Sequence, residues 1–292
     1  MSEQQDKDRV GNGMGKVTSH IKSAVKGALP RSIRNWISFR RAVRKSDVFL
    51  VGHPKSGNTW LAFMLAVLKE NDREERVNIS NVGEFVPTIH NRDLSITRYR
   101  DQHSPRIFRT EAPNYPEAYP KTIYIVRDPR AALLSYYHHC VHDTGRTEWP
   151  ISEFVDEMLD AGCIRTLEPH LVRWDRQVEA WLDRARHQPV SMVKYEELQG
   201  DCLGALSKLG GFIGLAHDES LLQLAVERGD FSRMRKDEQK FGAESYPGEK
   251  GERGFFVRKG RVDSWKEEMP AEVVAKIEST FYPVMKKLGY IG

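Results

Sequence analysis

After a polar, basic N-terminal stretch the chain turns abruptly apolar at Val48-Phe-Leu-Val51, and from Thr59 apolar residues return at helical spacing as far as Leu68. A run of four is too short for a helix and suits a strand buried on both faces, so the pattern predicts a strand, a glycine-containing loop and a helix in succession. The same alternation continues. Arg106-Ile-Phe-Arg-Thr-Glu111, Thr122-Ile-Tyr-Ile-Val126 and Pro189-Val-Ser-Met-Val-Lys-Tyr195 read as further strands. Between and after them, helical patterns cover 131–137, 152–160, 168–186, 203–212, 219–228 and 271–288. In the third of these, Leu171, Trp174, Val178, Trp181 and Leu182 share a face; in the last, Val274, Ile277, Phe281 and Met285 do. Strands alternating with helices predict an α/β fold, a single domain whose central parallel sheet is flanked by helices. The polar stretches 70–87 and 236–254 read as long loops, the second as a mobile lid.

Composition narrows the class. A length of 292 residues suits one large domain. A formal net charge of +4 gives no reason to invoke nucleic acid. Three widely spaced cysteines, Cys140, Cys163 and Cys202, fit a reducing compartment better than a disulfide framework. No window is apolar and long enough for a membrane span, and the N-terminus has no secretory apolar core, so a cytoplasmic enzyme is expected. Residues 16–45 carry nine Lys or Arg and no acid. Val17, Ile21 and Val25 fall on one helical face, and Ile33, Trp36, Ile37 and Val43 continue the stripe. Residues 1–46 thus divide from a domain at 47–292 as a basic, partly disordered arm. That arm either lies peripherally on an anionic membrane or packs on the domain with its charged face in water.

The candidate chemistry begins in the loop Gly52-His-Pro-Lys-Ser-Gly-Asn-Thr59. Its glycines admit unusual backbone angles and close approach of amides to a ligand, the following helix offers its N-terminus to an anion, and Lys55 adds a full charge. Gly52, Gly57 and Thr59 keep the register of the nucleotide-binding pattern G-x-x-x-x-G-K-[ST], which places the fold in the P-loop-containing nucleotide-binding type. The lysine stands three places early, at Lys55, and Asn58 takes its usual position. The string Pro54-Lys-Ser-Gly-Asn-Thr-Trp60 resembles the 5′-phosphosulfate loop of sulfotransferases that use 3′-phosphoadenosine 5′-phosphosulfate (PAPS). By that resemblance Lys55, Ser56, Gly57, Asn58, Thr59 and Trp60 hold the donor. Arg127 and Ser135, eight residues apart, match the residues that hold its 3′-phosphate, and Arg258-Lys259-Gly260 matches a third block with the same task. Tyr195 and Phe231 fall in segments that approach the adenine, Phe231 as a stacking ring opposite Trp60.

Arg109-Thr110-Glu111 ends a strand where open parallel sheets bind ligands, which makes Glu111 the candidate general base. Cytosolic relatives end this strand in histidine, while carbohydrate-type members of the superfamily use glutamate. One of His138, His139 or His142 remains a second candidate. Asp128 followed by Pro129 reads as a helix cap. No metal is assigned. The resemblance implies transfer of a sulfuryl group from PAPS to a hydroxyl or amine, a carbohydrate or a lipid being among the acceptors it admits, with Lys55 stabilising charge on the leaving side and 3′-phosphoadenosine 5′-phosphate (PAP) as product. Two alternatives stay open: a P-loop kinase or NTPase with Thr59 and Asp128 on Mg²⁺, and a binding protein that kept this fold without turnover.

Overall fold

A computed structural model of the chain describes residues 30–89, 96–144, 149–165, 169–215, 218–242 and 260–292, with only the backbone at 142–144. Four strands, β1 (Val48–Gly52), β2 (Ile107–Thr110), β3 (Lys121–Val126) and β4 (Val190–Lys194), form one parallel sheet in the order β2-β1-β3-β4. Leu50 lies beside Arg109 on one side and Ile123 on the other. The helices longer than four residues are α1 (Arg31–Ala42), α2 (Asn58–Glu70), α3 (Pro129–Thr144), α4 (Ile151–Asp160), α5 (Trp174–Arg184), α6 (Tyr195–Gly200), α7 (Cys202–Ile213), α8 (Glu219–Arg228), α9 (Phe231–Phe241) and α10 (Ala271–Leu288).

Period-two alternation in the strands sorts the core into two halves. Phe49, Val51, Phe108, Tyr124 and Val126 face α1, α3, α4, α5 and α10. Val48, Leu50, Ile107, Ile123, Ile125 and Val193 face α2, α7 and α8. Every residue of β1 is buried, which explains its unbroken apolar run. Arg106 and Asp47 form a buried ion pair at the entrance to the sheet: Arg106 Nε donates to Asp47 Oδ1 at 2.8 Å and Nη2 to Oδ2 at 2.5 Å. Arg106 Nη2 also donates to Ala42 O at 2.8 Å, tying the end of α1 to β2. Arg228 at the end of α8 makes a second buried pair with Asp72. Burial alone pushes that carboxyl up, but the Arg228 hydrogen bond and the Val77 and Arg76 amides hold it below its usual range.

Of the two readings of the basic segment, residues 31–42 follow the packed one. Phe39 is buried against Phe49, Tyr115 and Tyr119, while Arg31, Arg34, Arg40 and Arg41 are exposed. The first part of the segment, with Val17, Ile21 and Val25, lies outside the described residues. Among the described residues no helix is long and apolar enough to cross a membrane.

Several boundaries move. The last strand stops at Lys194, and Tyr195 opens α6 instead, with Glu197 accepting back from the Lys194 amide at 3.2 Å. α5 begins only at Trp174. Residues 236–241, expected in a loop, continue α9, because Asp230 caps that helix through the Ser232 and Arg233 amides and Met234 and Glu238 turn inward. The rest of the expected lid, from 243, lies outside the described residues.

Candidate active site

In this sheet the chain passes from β1 to β2 on one side and then crosses back over β1 to β3 on the other. Parallel sheets bind ligands beyond the carboxyl ends of the strands at such a reversal. Residues 53–57 leave β1 there, Arg127 leaves β3, and Glu111 leaves β2.

The loop turns through Lys55 at φ 63° and Gly57 at φ 100°, and only the second is a glycine. A left-handed lysine costs about 1–2 kcal/mol, a strain held by the surrounding contacts. Gly57 is needed on two counts, since a Cβ there would also lie 2.7 Å from Tyr195 Cδ2. Gly52 serves differently from expectation. It is absent from the positive-φ glycines, and it is small because a Cβ would lie 2.4 Å from Asn58 Oδ1 and 2.8 Å from Ile125 O.

Asn58 folds back over the loop. Its Nδ2 donates towards Gly52 O (3.4 Å), His53 O (3.2 Å) and Glu111 Oε1 (3.1 Å). Glu111 is fixed at its other end by Gln177 Nε2, which donates to Glu111 O at 2.8 Å while Gln177 Oε1 accepts from Tyr124. Arg109 also turns to the loop, donating from Nη1 to Thr59 Oγ1 at 3.2 Å and from Nε to Thr88 Oγ1 at 2.5 Å.

Arg127 is 8% exposed and lies between the loop and the C-terminal segment. It donates from Nη1 to Lys55 O at 3.0 Å and from Nη2 to Arg261 O at 3.2 Å, with its guanidinium 4.2 Å above the Tyr195 ring. Its own carbonyl accepts from Trp174 Nε1 at 3.2 Å. Asp128 caps α3 as expected, accepting from the Arg130 amide at 2.9 Å, and also grips the Arg130 guanidinium. Asp128 is thus paired with Arg130, and Thr59 accepts from Arg109.

Trp60 meets Tyr195 edge to face at 5.4 Å and donates from Nε1 to Gly229 O at 2.7 Å, two residues before the part-exposed Phe231. Gly260 lies against the Phe231 ring, where a Cβ would come within 2.4 Å, and takes φ 65°. Ser135 is half-buried two turns into α3. Arg258 and Lys259 lie outside the described residues. His138 faces Glu268 at 3.2 Å, and His139 stacks on Tyr136, so both turn to partners other than the loop. The side chain of His142 lies outside the described residues.

The site also contains groups the motif does not announce. His53 is 1% exposed inside the loop, and burial pushes its imidazole down to about 4, against a smaller upward contribution from the Pro54 backbone. Ser56 is fully buried and its Oγ has no partner among the described residues. The first-turn amides of α2 likewise lack intrahelical acceptors. An orphaned hydroxyl, a lysine and helix N-terminal amides fit the phosphosulfate end of PAPS. Gln177 and Trp174 carry no local signal, because their roles arise only when α5 packs against the strand ends.

Comparison with known proteins agrees with this geometry. The family model of the sulfotransferase domain matches residues 45–289. The chain is 23% identical over 257 residues to the amine sulfotransferase of Oryctolagus cuniculus, covering 84% of this chain and 82% of the relative. Among solved structures it is similar to mouse sulfotransferase SULT7A1 complexed with PAP, at a TM-score of 0.62 and 21% identity over 86% of this chain and 88% of the other. It is also similar to retinol dehydratase in a complex with retinol and PAP, at 0.65 and 17% over 87% and 86%.

Proposed function

This chain belongs to the sulfotransferase family, and from that premise we propose how its residues divide the work of moving a sulfuryl group from PAPS to a hydroxyl or amine. Bound PAPS supplies the sulfuryl group at its 5′ end and is released as PAP. Ser56, Gly57, Asn58, Thr59 and the Lys55 ammonium receive the phosphosulfate end, and Lys55 neutralises charge on the leaving side as the bond to sulfur lengthens. Arg127 and Ser135, with Arg258, Lys259 and Gly260, hold the 3′-phosphate, the group that separates this donor from ATP. A guanidinium suits that task because its planar fork gives two parallel hydrogen bonds. Trp60, Tyr195 and Phe231 flank the adenine. Glu111 removes the acceptor proton at its carboxylate, a contribution of about 10²–10⁴-fold. The domain takes in α1 as well as residues 47–292, since Phe39 belongs to its core.

The observation that carries this reading is the meeting of three strand ends: Arg127 Nη1 on Lys55 O at 3.0 Å and Asn58 Nδ2 on Glu111 Oε1 at 3.1 Å. Thermal unfolding tests the donor half. PAP at 100 times its dissociation constant, without metal, should stabilise the protein by about 2.7 kcal/mol. Arg127→Ala should lose most of that gain. Stabilisation by ATP with Mg²⁺ but not by PAP would overturn the assignment. Transfer from labelled PAPS to a panel of primary alcohols, phenols and alkylamines tests the acceptor half, in which Glu111→Gln should lose at least about 10²-fold in kcat.

A further inference from the structure

We propose that the Asn58 side chain is the positioning residue that fixes Glu111 relative to the donor loop, a role resting on Glu111 being the base. A carboxylate at the end of the short strand β2 has two side-chain torsions and a broad terminal one to settle before it can point at an acceptor proton. Gln177 holds only the Glu111 backbone carbonyl. The carboxylate itself receives Asn58 Nδ2 at 3.1 Å.

Asn58 suits this task because its amide nitrogen faces three acceptors at once. It is 6% exposed, it is the first residue of α2, and its two N–H donors are shared among Gly52 O, His53 O and Glu111 Oε1, while its buried Oδ1 has no partner among the described residues. The missing Cβ of Gly52 makes room for Asn58 Oδ1. One side chain therefore spans the end of β1, the loop and the end of β2. Moving the donor loop moves the base with it. A lysine at this position, as in the nucleotide-binding pattern, would present a charge and no such bridge. Thr59, next along, is held by Arg109 of the same strand, so β2 grips the start of α2 twice.

A double-mutant cycle reads this coupling directly. The acceptor is the compound of the panel above that turns over fastest, with PAPS as donor. Asn58→Ala in the otherwise unchanged protein should lower kcat by about 10- to 100-fold, the scale of an approximately 1 Å misplacement, with the PAPS KM held within about threefold. In a Glu111→Ala background the same change should cost less than about twofold, since residues acting as one unit are not additive. Thermal stabilisation by PAP should persist in Asn58→Ala, because the donor contact at this position is assigned to the first-turn backbone amide, which the substitution leaves in place. Asn58→Ser takes its place if the alanine variant does not fold. An equal fold-loss in both backgrounds, or loss of PAP stabilisation, would mean that Asn58 serves the donor loop alone and would overturn the proposal. Full activity of Glu111→Ala is a separate failure: it removes the base assignment and, with it, the coupling.

Discussion

His53 behaves unlike an exposed histidine. The loop buries the ring almost completely, and burial holds the imidazole neutral down to about pH 4. An unfolded chain protonates this group near pH 6.5, so between roughly 6.5 and 4 the unfolded state binds more protons and stability falls as pH falls. The contribution is complete above about pH 6.5. At pH 5 it amounts to a loss of about 2 kcal/mol. Urea unfolding at pH 7 and pH 5 should show that difference in the natural chain and a flatter dependence in His53→Gln; an unchanged slope would assign the acid sensitivity elsewhere. Lys55, Asn58, Arg127 and Glu111 were legible as candidates because each sits at a strand end or in a loop whose spacing has a chemical reason, and the structure brings them together. The side-chain bridge from Asn58 to Glu111 was not, since it joins positions 53 apart in sequence through a fold-back that Gly52 permits.

At the level of elements, α1 is the instructive case. Its sequence pairs an apolar stripe with exposed arginines, a pattern equally suited to a membrane surface and to a protein face. The choice falls to Phe39, which fills a ring cluster with Phe49, Tyr115 and Tyr119, and to Ala42 O, which accepts from the buried Arg106. Ile33 on the same helix is 43% exposed, so the stripe is only partly used. Phe39→Ala should destabilise the domain by about 3–5 kcal/mol, read from chemical denaturation, whereas a change below about 1 kcal/mol would show α1 to be peripheral to the core. Strand existence and order of type were readable from apolar runs, and α10 from its stripe. The C-terminal end of α9 was not, because residues 236–240 are polar and are kept helical by an Asp230 cap and two inward side chains rather than by an apolar face.

Across the whole molecule, the far end of the chain reaches back to the site. Tyr290 donates to Glu196 Oε2 at 3.1 Å, and Glu196 Oε1 accepts from the Asp128 amide at 3.0 Å, directly after Arg127. Burial and the neighbouring Glu196 carboxylate push the Tyr290 phenol far upward, so it stays a donor throughout the ordinary pH range. Tyr290→Phe should cost about 1.5–3 kcal/mol in urea unfolding, the range for a hydrogen bond to a charged group, and should weaken PAP binding through the loosened Arg127 turn. PAP affinity unchanged in a variant destabilised by that amount would separate the latch from the site. The sheet order has a consequence of its own. β1 and β3, which lead into the donor loop and Arg127, are interior strands, whereas β2, which leads into Glu111, is a border strand, paired on one side with β1 and, among the described residues, met on the other by the bridge at Thr88. Under the proposed division of work, the half of the reaction that meets the donor is therefore built into the middle of the scaffold, and the half that meets the acceptor hangs on its margin. The margin is not independent of the middle, because Arg109 and Glu111 tie it to Thr59 and Asn58 of the donor loop, so a change of acceptor leaves the donor grip intact only where those two contacts are kept.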